Sequence, residues 1–201
     1  MGKIKCSITV SLDGYLAGPN QSFESPMGDI PKNLLHHWMF DEPEKHTAEL
    51  DSLTNAAAFI MGSNMFVPHD KRNNDDWTGW WGDTPPYHAP VFVLTHQAQE
   101  PITMEGGTTF HFVTDGIVSA LEKAKLVAGD GDISIAGGAH TINQYLAAGL
   151  LDEVWLHIAP VVIGGGAKLF EGTSGLQLKP VESRTTALVT HIRYEVLHTK
   201  N

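Results

Sequence analysis

The chain has 201 residues, of which 42% are hydrophobic and 18% charged, so it can bury a substantial core and is neither disordered nor fibrous. Its formal net charge of -10 would repel a phosphate backbone, so nucleic acid is not an expected partner. No stretch approaches the ~20 apolar residues of a membrane span, and the first residues lack a signal-peptide pattern. Together with the single cysteine, these features predict a cytoplasmic protein with one domain, residues 1–201.

Strand and helix patterns alternate along the chain. Strands are expected at 4–12, 58–62, 91–95, 110–113, 133–136 and 154–159, and helices at 34–40, 44–56 and 117–125. A fourth helix is expected around Ile142, Tyr145 and Leu146, ending at Gly149. Segments 176–181 and 187–197 alternate like an antiparallel pair. The pattern predicts an α/β fold, with a mostly parallel sheet covered by helices on both faces and a C-terminal antiparallel hairpin. In such sheets, ligands bind beyond the carboxyl ends of the strands.

Gly137 and Gly138 lie between a predicted buried strand and a predicted helix. Without Cβ atoms they would let a ligand approach the backbone, and the free amides of the helix N-terminus attract phosphate. A tight turn that needs positive φ explains the same two glycines. Neither the dinucleotide pattern G-x-G-x-x-G nor the P-loop ending G-K-[ST] is present, so a phosphate cradle and a plain turn are both open.

Two other segments carry a similar ambiguity. The glycines at 164–166 could bend the chain around a ligand or form a flexible turn. Trp77, Trp80 and Trp81 cluster in an otherwise polar segment, where they could anchor a loop or form the wall of a substrate pocket.

The usual signatures of metal and nucleophilic sites are missing. None of the eleven histidines forms H-E-x-x-H or pairs with cysteines at zinc spacing, so no metal site is predicted. A hydrolase is disfavoured because there is no G-x-S-x-G. Cys6 lies in an alternating apolar strand and is expected to be a buried structural thiol. Asp13 follows the first strand, where either a functional acid or an ordinary Asp-Gly turn would fit.

Four segments taken together resemble the dihydrofolate reductase superfamily. They are SLDGYLA at 11–17, IMGSNMF at 60–66, VLTH at 93–96 and AGG at 136–138, and they occur in the family's order. The closer match is the branch related to the C-terminal reductase domain of bifunctional riboflavin-biosynthesis deaminase-reductases. This resemblance implies a three-layer α/β/α fold over nearly the whole chain and a homodimer, with the 155–163 region as the expected contact.

The resemblance also implies NADPH bound across the carboxyl edge of the sheet. The cofactor residues it implies are Leu16, Ala17, Gly62, Ser63, Asn64, Thr95, His96, Gly137, Gly138, Ala139, His140 and Thr141. Where the family commonly has a basic residue after its methionine-glycine turn, this chain has Ser63 and Asn64, so NADH is also allowed. Asp13 is expected beside the substrate, to hydrogen-bond it or relay a proton, and Trp77 and Trp81 are expected to border the pocket.

The resulting hypothesis is an NADPH-dependent reductase that transfers hydride to a small heterocyclic or related unsaturated substrate. Folate reduction is disfavoured because the tryptophan-proline-acid pattern of that reaction is absent. The alternative from another class is a non-catalytic nucleotide-binding or ligand-sensing module on the same fold. A weaker alternative is that the glycine turn binds flavin or no nucleotide.

Overall fold

In the computed structural model, which describes residues 2–71 and 76–198, a mixed sheet of nine strands runs through the protein. Its strands are β1 Ile4–Ser11, β3 Ala58–Gly62, β4 Pro90–Leu94, β5 Ile102–Thr103, β6 Thr109–Val113, β7 Ile133–Gly137, β8 Glu153–Ala159, β10 Gln177–Thr185 and β11 Thr190–Leu197. Two short strands, β2 Tyr15–Ala17 and β9 Ala167–Lys168, form a separate antiparallel pair.

The strand order is β10-β11-β8-β1-β7-β3-β4-β6-β5. The six central strands from β8 to β6 are parallel, whereas β11, β10 and β5 are added antiparallel. This confirms the predicted fold class and the C-terminal hairpin. Because β8 is paired on both sides, by β1 and β11, a second copy of the chain could not extend the sheet at that strand.

The helices are α1 His37–Phe40, α2 Thr47–Thr54, α3 Ser63–Phe66, α4 Gly116–Ala128 and α5 Ala139–Ala147. The buried side of α4, which includes Leu121, and that of α5, which includes Ile142, pack on one face of the sheet. Cys6 is completely buried in the same cluster, and burial raises the pKa of its thiol to about 12, as suits a structural cysteine. No helix in the described residues is long and apolar enough to cross a membrane.

Two predicted helices are shorter than expected. The segment 34–40 becomes helical only at α1, and 44–56 divides into a 3-10 turn at Pro43–Lys45 followed by α2. The division falls at His46, whose φ of -130° and ψ of 26° are not helical. Asp115 lies at the N-cap of α4, but its side chain makes no capping hydrogen bond.

The opposite face of the sheet is polar where α1 and α2 cover β1, β8 and β11. Ser7, His157 and His191 project from these strands and are buried, with exposed fractions of 5%, 0% and 5%. Trp38 of α1 packs against both histidine rings, with centroids 4.9 and 5.0 Å away. Burial lowers the pKa of His157 to about 3 and that of His191 to about 4, so both rings are neutral at pH 7.

The first turn of α5 lies directly against the end of β3. A Cβ atom built on Gly62 would collide with the Oγ1 of Thr141, a residue that is 4% exposed. Gly62 has φ -81° and ψ 154°, which any residue can adopt, so glycine is required there only for space. This contact fixes how closely α5 approaches the sheet.

Gly62→Ala should therefore destabilise the protein by ~1–3 kcal/mol through overpacking, measured by urea unfolding. Gly62→Ala combined with Thr141→Ala should recover part of that loss, because the colliding hydroxyl is gone. Gly138→Ala is the matched control, since a Cβ there meets nothing within 4 Å and should cost under ~1 kcal/mol. Equal stability of Gly62→Ala and the wild type, or no recovery in the double variant, would contradict this account.

Candidate functional site

The carboxyl ends of the parallel strands meet at one edge of the sheet. The register pairs Met61 with Gly137, Gly62 with Leu94, and Leu94 with Val113. The turns that follow β3, β4, β6 and β7 therefore leave the sheet side by side. This is the edge at which parallel α/β sheets bind ligands.

The glycine pair forms the connection from β7 to α5. Gly137 has φ 134°, a conformation that favours glycine, and a Cβ there would lie 3.2 Å from the Sδ of Met65. The peptide bond between Gly137 and Gly138 is cis. Gly138 is the N-cap residue, and a Cβ on it would enter open space. The first glycine is thus needed by the fold, whereas the second leaves room for a ligand.

The N-terminus of α5 has no side-chain cap. Gly138 has no side chain to cap the helix, and the first helical hydrogen bond runs from the amide of Ile142 to the carbonyl of Gly138, at 3.1 Å. The amides of the first turn, residues 139–141, precede that bond and have no partner inside the helix. An uncapped helix N-terminus of this kind can hold a phosphate, because the helix dipole adds partial positive charge to the free amides.

The other segments expected to hold a cofactor flank this turn. Ser63 and Asn64 form the first turn of α3, whereas Thr95 and His96 follow β4. The Thr95 hydroxyl accepts a hydrogen bond from the amide of Gln97 at 3.1 Å, which shapes that turn. Within the glycine turn, Ala139 and Thr141 are buried and His140 is exposed. The structure therefore brings these segments to one edge, with Gly62 and Thr141 in contact.

Asp13 links the end of β1 to the second glycine run. Its Oδ1 accepts hydrogen bonds from the Ser11 hydroxyl at 2.6 Å and the Ile163 amide at 3.1 Å, and its Oδ2 accepts one from the Gly164 amide at 2.7 Å. These donors, led by the Ser11 hydroxyl, lower the pKa of Asp13 from its ordinary 3.8 to about 2. The carboxylate is therefore ionised at neutral pH and acts as an acceptor.

The glycine run also packs on β2. Gly166 has φ 118°, and a Cβ there would collide with the carbonyl oxygen of Ala17. Leu16 points into the main core, and both Leu16 and Ala17 are buried. The absence of a side chain at Gly166 thus lets the chain after β8 pack against Leu16 and Ala17, the residues that were expected to face the nicotinamide.

Asn143 was not singled out in the sequence, yet it joins the two parts of this edge. It is 8% exposed on α5, where its Nδ2 donates to the carbonyl of Lys168 at 2.9 Å and its Oδ1 accepts from the amide of Phe170 at 2.8 Å. Lys168 belongs to β9, which pairs with β2. A single asparagine in a helix gives no sequence signal for such a long-range connection.

Trp77 and Trp81 pack against a hydrophobic cluster that includes Phe66 of α3 and Phe110 of β6. The indole Nε1 of Trp77 donates to the carbonyl of Phe66 at 2.8 Å. The ring of Trp81 lies 5.2 Å from that of Tyr87 and is stacked on Phe110 at 5.8 Å. These contacts explain both residues as anchors of the 76–89 segment, and contact with a substrate stays a prediction.

The comparisons with known proteins agree with this architecture. The chain is 40% identical over 190 residues to the uncharacterized protein YyaP of Bacillus subtilis (strain 168), covering 91% of this chain and 88% of that protein. Among solved structures, it resembles a putative riboflavin biosynthesis protein from Shewanella sp. PV-4, with TM-score 0.66 and 24% identity over 98% of this chain and 100% of that one.

A second solved structure is a diaminohydroxyphosphoribosylaminopyrimidine deaminase/5-amino-6-(5-phosphoribosylamino)uracil reductase from Thermotoga maritima. The TM-score is 0.57 and the identity 12%, with 98% of this chain matching 57% of that longer chain. At these identities the two solved structures show the fold alone. The sequence profile of the RibD C-terminal domain matches residues 2–192. The chain therefore belongs to the RibD C-terminal domain family.

Proposed function

We propose that this protein is an NADPH-dependent reductase that transfers hydride to a small heterocyclic or related unsaturated substrate. Membership in the RibD C-terminal domain family supports an oxidoreductase. The observation that carries the proposal is the open N-terminus of α5 beside Gly138, at the edge where the strands end. A pyrophosphate fits such a cradle, because it needs free amides and close backbone approach.

Different residues around the cradle would bind different parts of the dinucleotide. The first turn of α5 would bind the pyrophosphate, Ser63 and Asn64 the adjoining ribose region, and Thr95 and His96 the adenosine side. Leu16 and Ala17 would border the nicotinamide. When bound, NADPH supplies the hydride, and the chain supplies orientation and shielding from water. Neither Ser63 nor Asn64 carries a positive charge for a 2′-phosphate, so NADH is a competing cofactor.

Asp13 would orient the substrate as a hydrogen-bond acceptor. Its Oδ2 accepts one bond from Gly164, and a carboxylate oxygen has room for another donor. Because its pKa is about 2, Asp13 holds no proton to give at neutral pH, so the proton that completes the reduction would come from another source. A substrate with ring or amino N–H groups suits this acceptor.

The pyrimidine reductase likeness suggests a first substrate to test. The Thermotoga maritima neighbour is called a 5-amino-6-(5-phosphoribosylamino)uracil reductase. We propose that this chain acts on a related aminopyrimidine or another small heterocycle and that it works as a homodimer. The non-catalytic binding module remains the second candidate, because the Asp13 carboxylate is already bonded to Ser11, Ile163 and Gly164 of its own chain.

Titration of the purified protein with NADPH or NADH, followed by nicotinamide fluorescence and calorimetry, should show micromolar binding of at least one. Gly138→Val should weaken that binding about tenfold or more by filling the open space at the cradle, while the protein stays folded. Leu126→Ala, an exposed change on α4, is the control and should bind normally. Absence of binding by the wild type, or unaltered affinity in folded Gly138→Val, would refute the cradle.

Turnover separates the reductase from the binding module. With the phosphoribosylamino-uracil as substrate, the wild type should oxidise NADPH in step with formation of the reduced product. Asp13→Asn should lower turnover about tenfold or more and leave cofactor affinity within about twofold. Cofactor binding with no turnover on a panel of aminopyrimidines and other heterocycles would favour the non-catalytic module.

Asp13 also predicts a pH dependence of stability. Its pKa is lower in the folded protein than its ordinary 3.8, so its stabilising contribution is complete above about pH 5 and is lost as the pH falls toward 2. The difference in unfolding free energy between wild type and Asp13→Asn should be constant from pH 5 to 8 and shrink below pH 4. A difference that stays constant down to pH 2.5 would contradict the hydrogen-bonded carboxylate.

A further inference from the structure

A cluster of buried polar groups lies between α2 and the hairpin of β10 and β11, and none of its residues belongs to the cofactor turns. His46, Glu49 and His191 are 0%, 8% and 5% exposed. One ligand atom from each, an imidazole nitrogen or a carboxylate oxygen, lies within 4.8 Å of the other two. This donor set suits a borderline divalent ion such as Zn²⁺.

Hydrogen-bond directions can be followed from one side of the cluster. The Ser52 hydroxyl donates to the backbone carbonyl of Glu49 at 2.6 Å, so at 2.7 Å it must accept from the hydroxyl of Ser7. Ser7 in turn accepts from Nε2 of His157 at 2.9 Å. The Nδ1 of neutral His157 then accepts from Nδ1 of His191 at 2.8 Å. This leaves a lone pair, and no proton, on the Nε2 of His191.

The second imidazole, that of His46, lies among more acceptors than Arg184 can serve. The Nη2 of Arg184 carries two hydrogens and lies within 3.1 Å of three acceptors, the Lys45 carbonyl, Oε1 of Glu49 and Nδ1 of His46. When the hydrogens go to the first two, Nδ1 of His46 donates to Nε2 of His191 at 2.9 Å, and the buried Nε2 of His46 is left without a partner. Nε2 of His191 is in turn 3.9 Å from Oε1 of Glu49. A metal ion that displaces the proton from Nδ1 of His46 would bind all three atoms.

Arg184 marks where that cation would bind. Its guanidinium donates to Oε1 of Glu49 from both Nε, at 3.0 Å, and Nη2, at 2.8 Å, and to the backbone carbonyl of Lys45 from Nη2 at 3.0 Å, while Nη2 also lies 3.1 Å from Nδ1 of His46. The side chain is 41% exposed and belongs to β10, the outermost strand of the sheet at that end. It can therefore turn into solvent without disturbing the core. The positive charge that it supplies could then be replaced by an ion.

We propose that His46, Glu49 and His191 bind one divalent transition-metal ion, with Zn²⁺ as the reference ion, when Arg184 swings out. Two nitrogens at about 2.0–2.1 Å from a tetrahedral zinc ion are about 3.3–3.4 Å apart, so the two imidazoles, 2.9 Å apart, would separate by about half an ångström on binding. His157 orients His191 through its other ring nitrogen, as outer partners of metal ligands do. The ion would clamp α2 to β11.

The test uses the full chain without an affinity tag, treated with EDTA and dialysed. Calorimetric titration with Zn²⁺ should show one ion per chain, and Co²⁺ should give visible absorption bands of a nitrogen and oxygen site. His191→Ala should weaken binding about tenfold or more. Glu49→Gln should also weaken Zn²⁺ binding about tenfold or more. Because it keeps the shape of the side chain, this variant tests the site if His191→Ala fails to fold.

Arg184→Gln distinguishes a metal site from a salt-bridge cluster. Removal of the competing guanidinium should tighten Zn²⁺ binding about tenfold, whereas a structural salt bridge would only lose stability. Arg193→Gln is the matched control, because it also removes one positive charge. Arg193 lies on β11 two residues after His191, where it pairs with Glu182 and Glu153. His111→Ala is a second control, because it removes a histidine of β6 that lies outside the proposed site.

The pattern of Zn²⁺ binding across these variants decides whether the cluster is a metal site. One ion per chain that is weakened by His191→Ala or Glu49→Gln, strengthened by Arg184→Gln and unaffected by Arg193→Gln and His111→Ala supports the site. Binding that is equal in all variants would assign the metal to surface histidines and overturn the proposal. Failure of both the wild type and Arg184→Gln to bind Zn²⁺ would also overturn it.

Discussion

The close packing of the first turn of α5 against the ends of β3 and β7 is the constraint on which the rest of this edge depends. Gly62 leaves room for the Thr141 hydroxyl, and Gly137 leaves room for the Met65 thioether. A larger residue at Gly62 would press on the buried Thr141 hydroxyl and push α5 away from the sheet. The N-terminus of α5 is therefore held at the edge where the strands end.

The remainder of the edge is tied to that helix by polar contacts from distant parts of the chain. Asn143 connects α5 to the segment around β9, and β9 pairs with β2. Asp13 connects the end of β1 to the chain after β8. If this edge binds a ligand, such connections would reduce the ordering cost of binding. The low pKa of Asp13 comes first from the Ser11 hydroxyl and then from the two amides of the chain after β8.

The two faces of the sheet have different chemistry. The face under α4 and α5 is an apolar core, whereas the face under α1 and α2 buries three histidines, a glutamate and Ser7, which hydrogen bonds connect to one another and to the half-buried Ser52. Buried polar groups destabilise a fold unless each finds a partner, so the tautomers of these histidines are linked to one another.

The sequence by itself determined the alternation of strands and helices, the C-terminal hairpin and the position of the glycine turn, because periodicity and glycine placement are local properties. It did not determine the break at His46 or the anchoring of Trp77 and Trp81, since both depend on packing. Only the tertiary structure brought Asp13 to Gly164, Asn143 to Lys168, and His46 to His191. These contacts join residues far apart in the chain, and strand order, which local patterns do not encode, decides which of them meet.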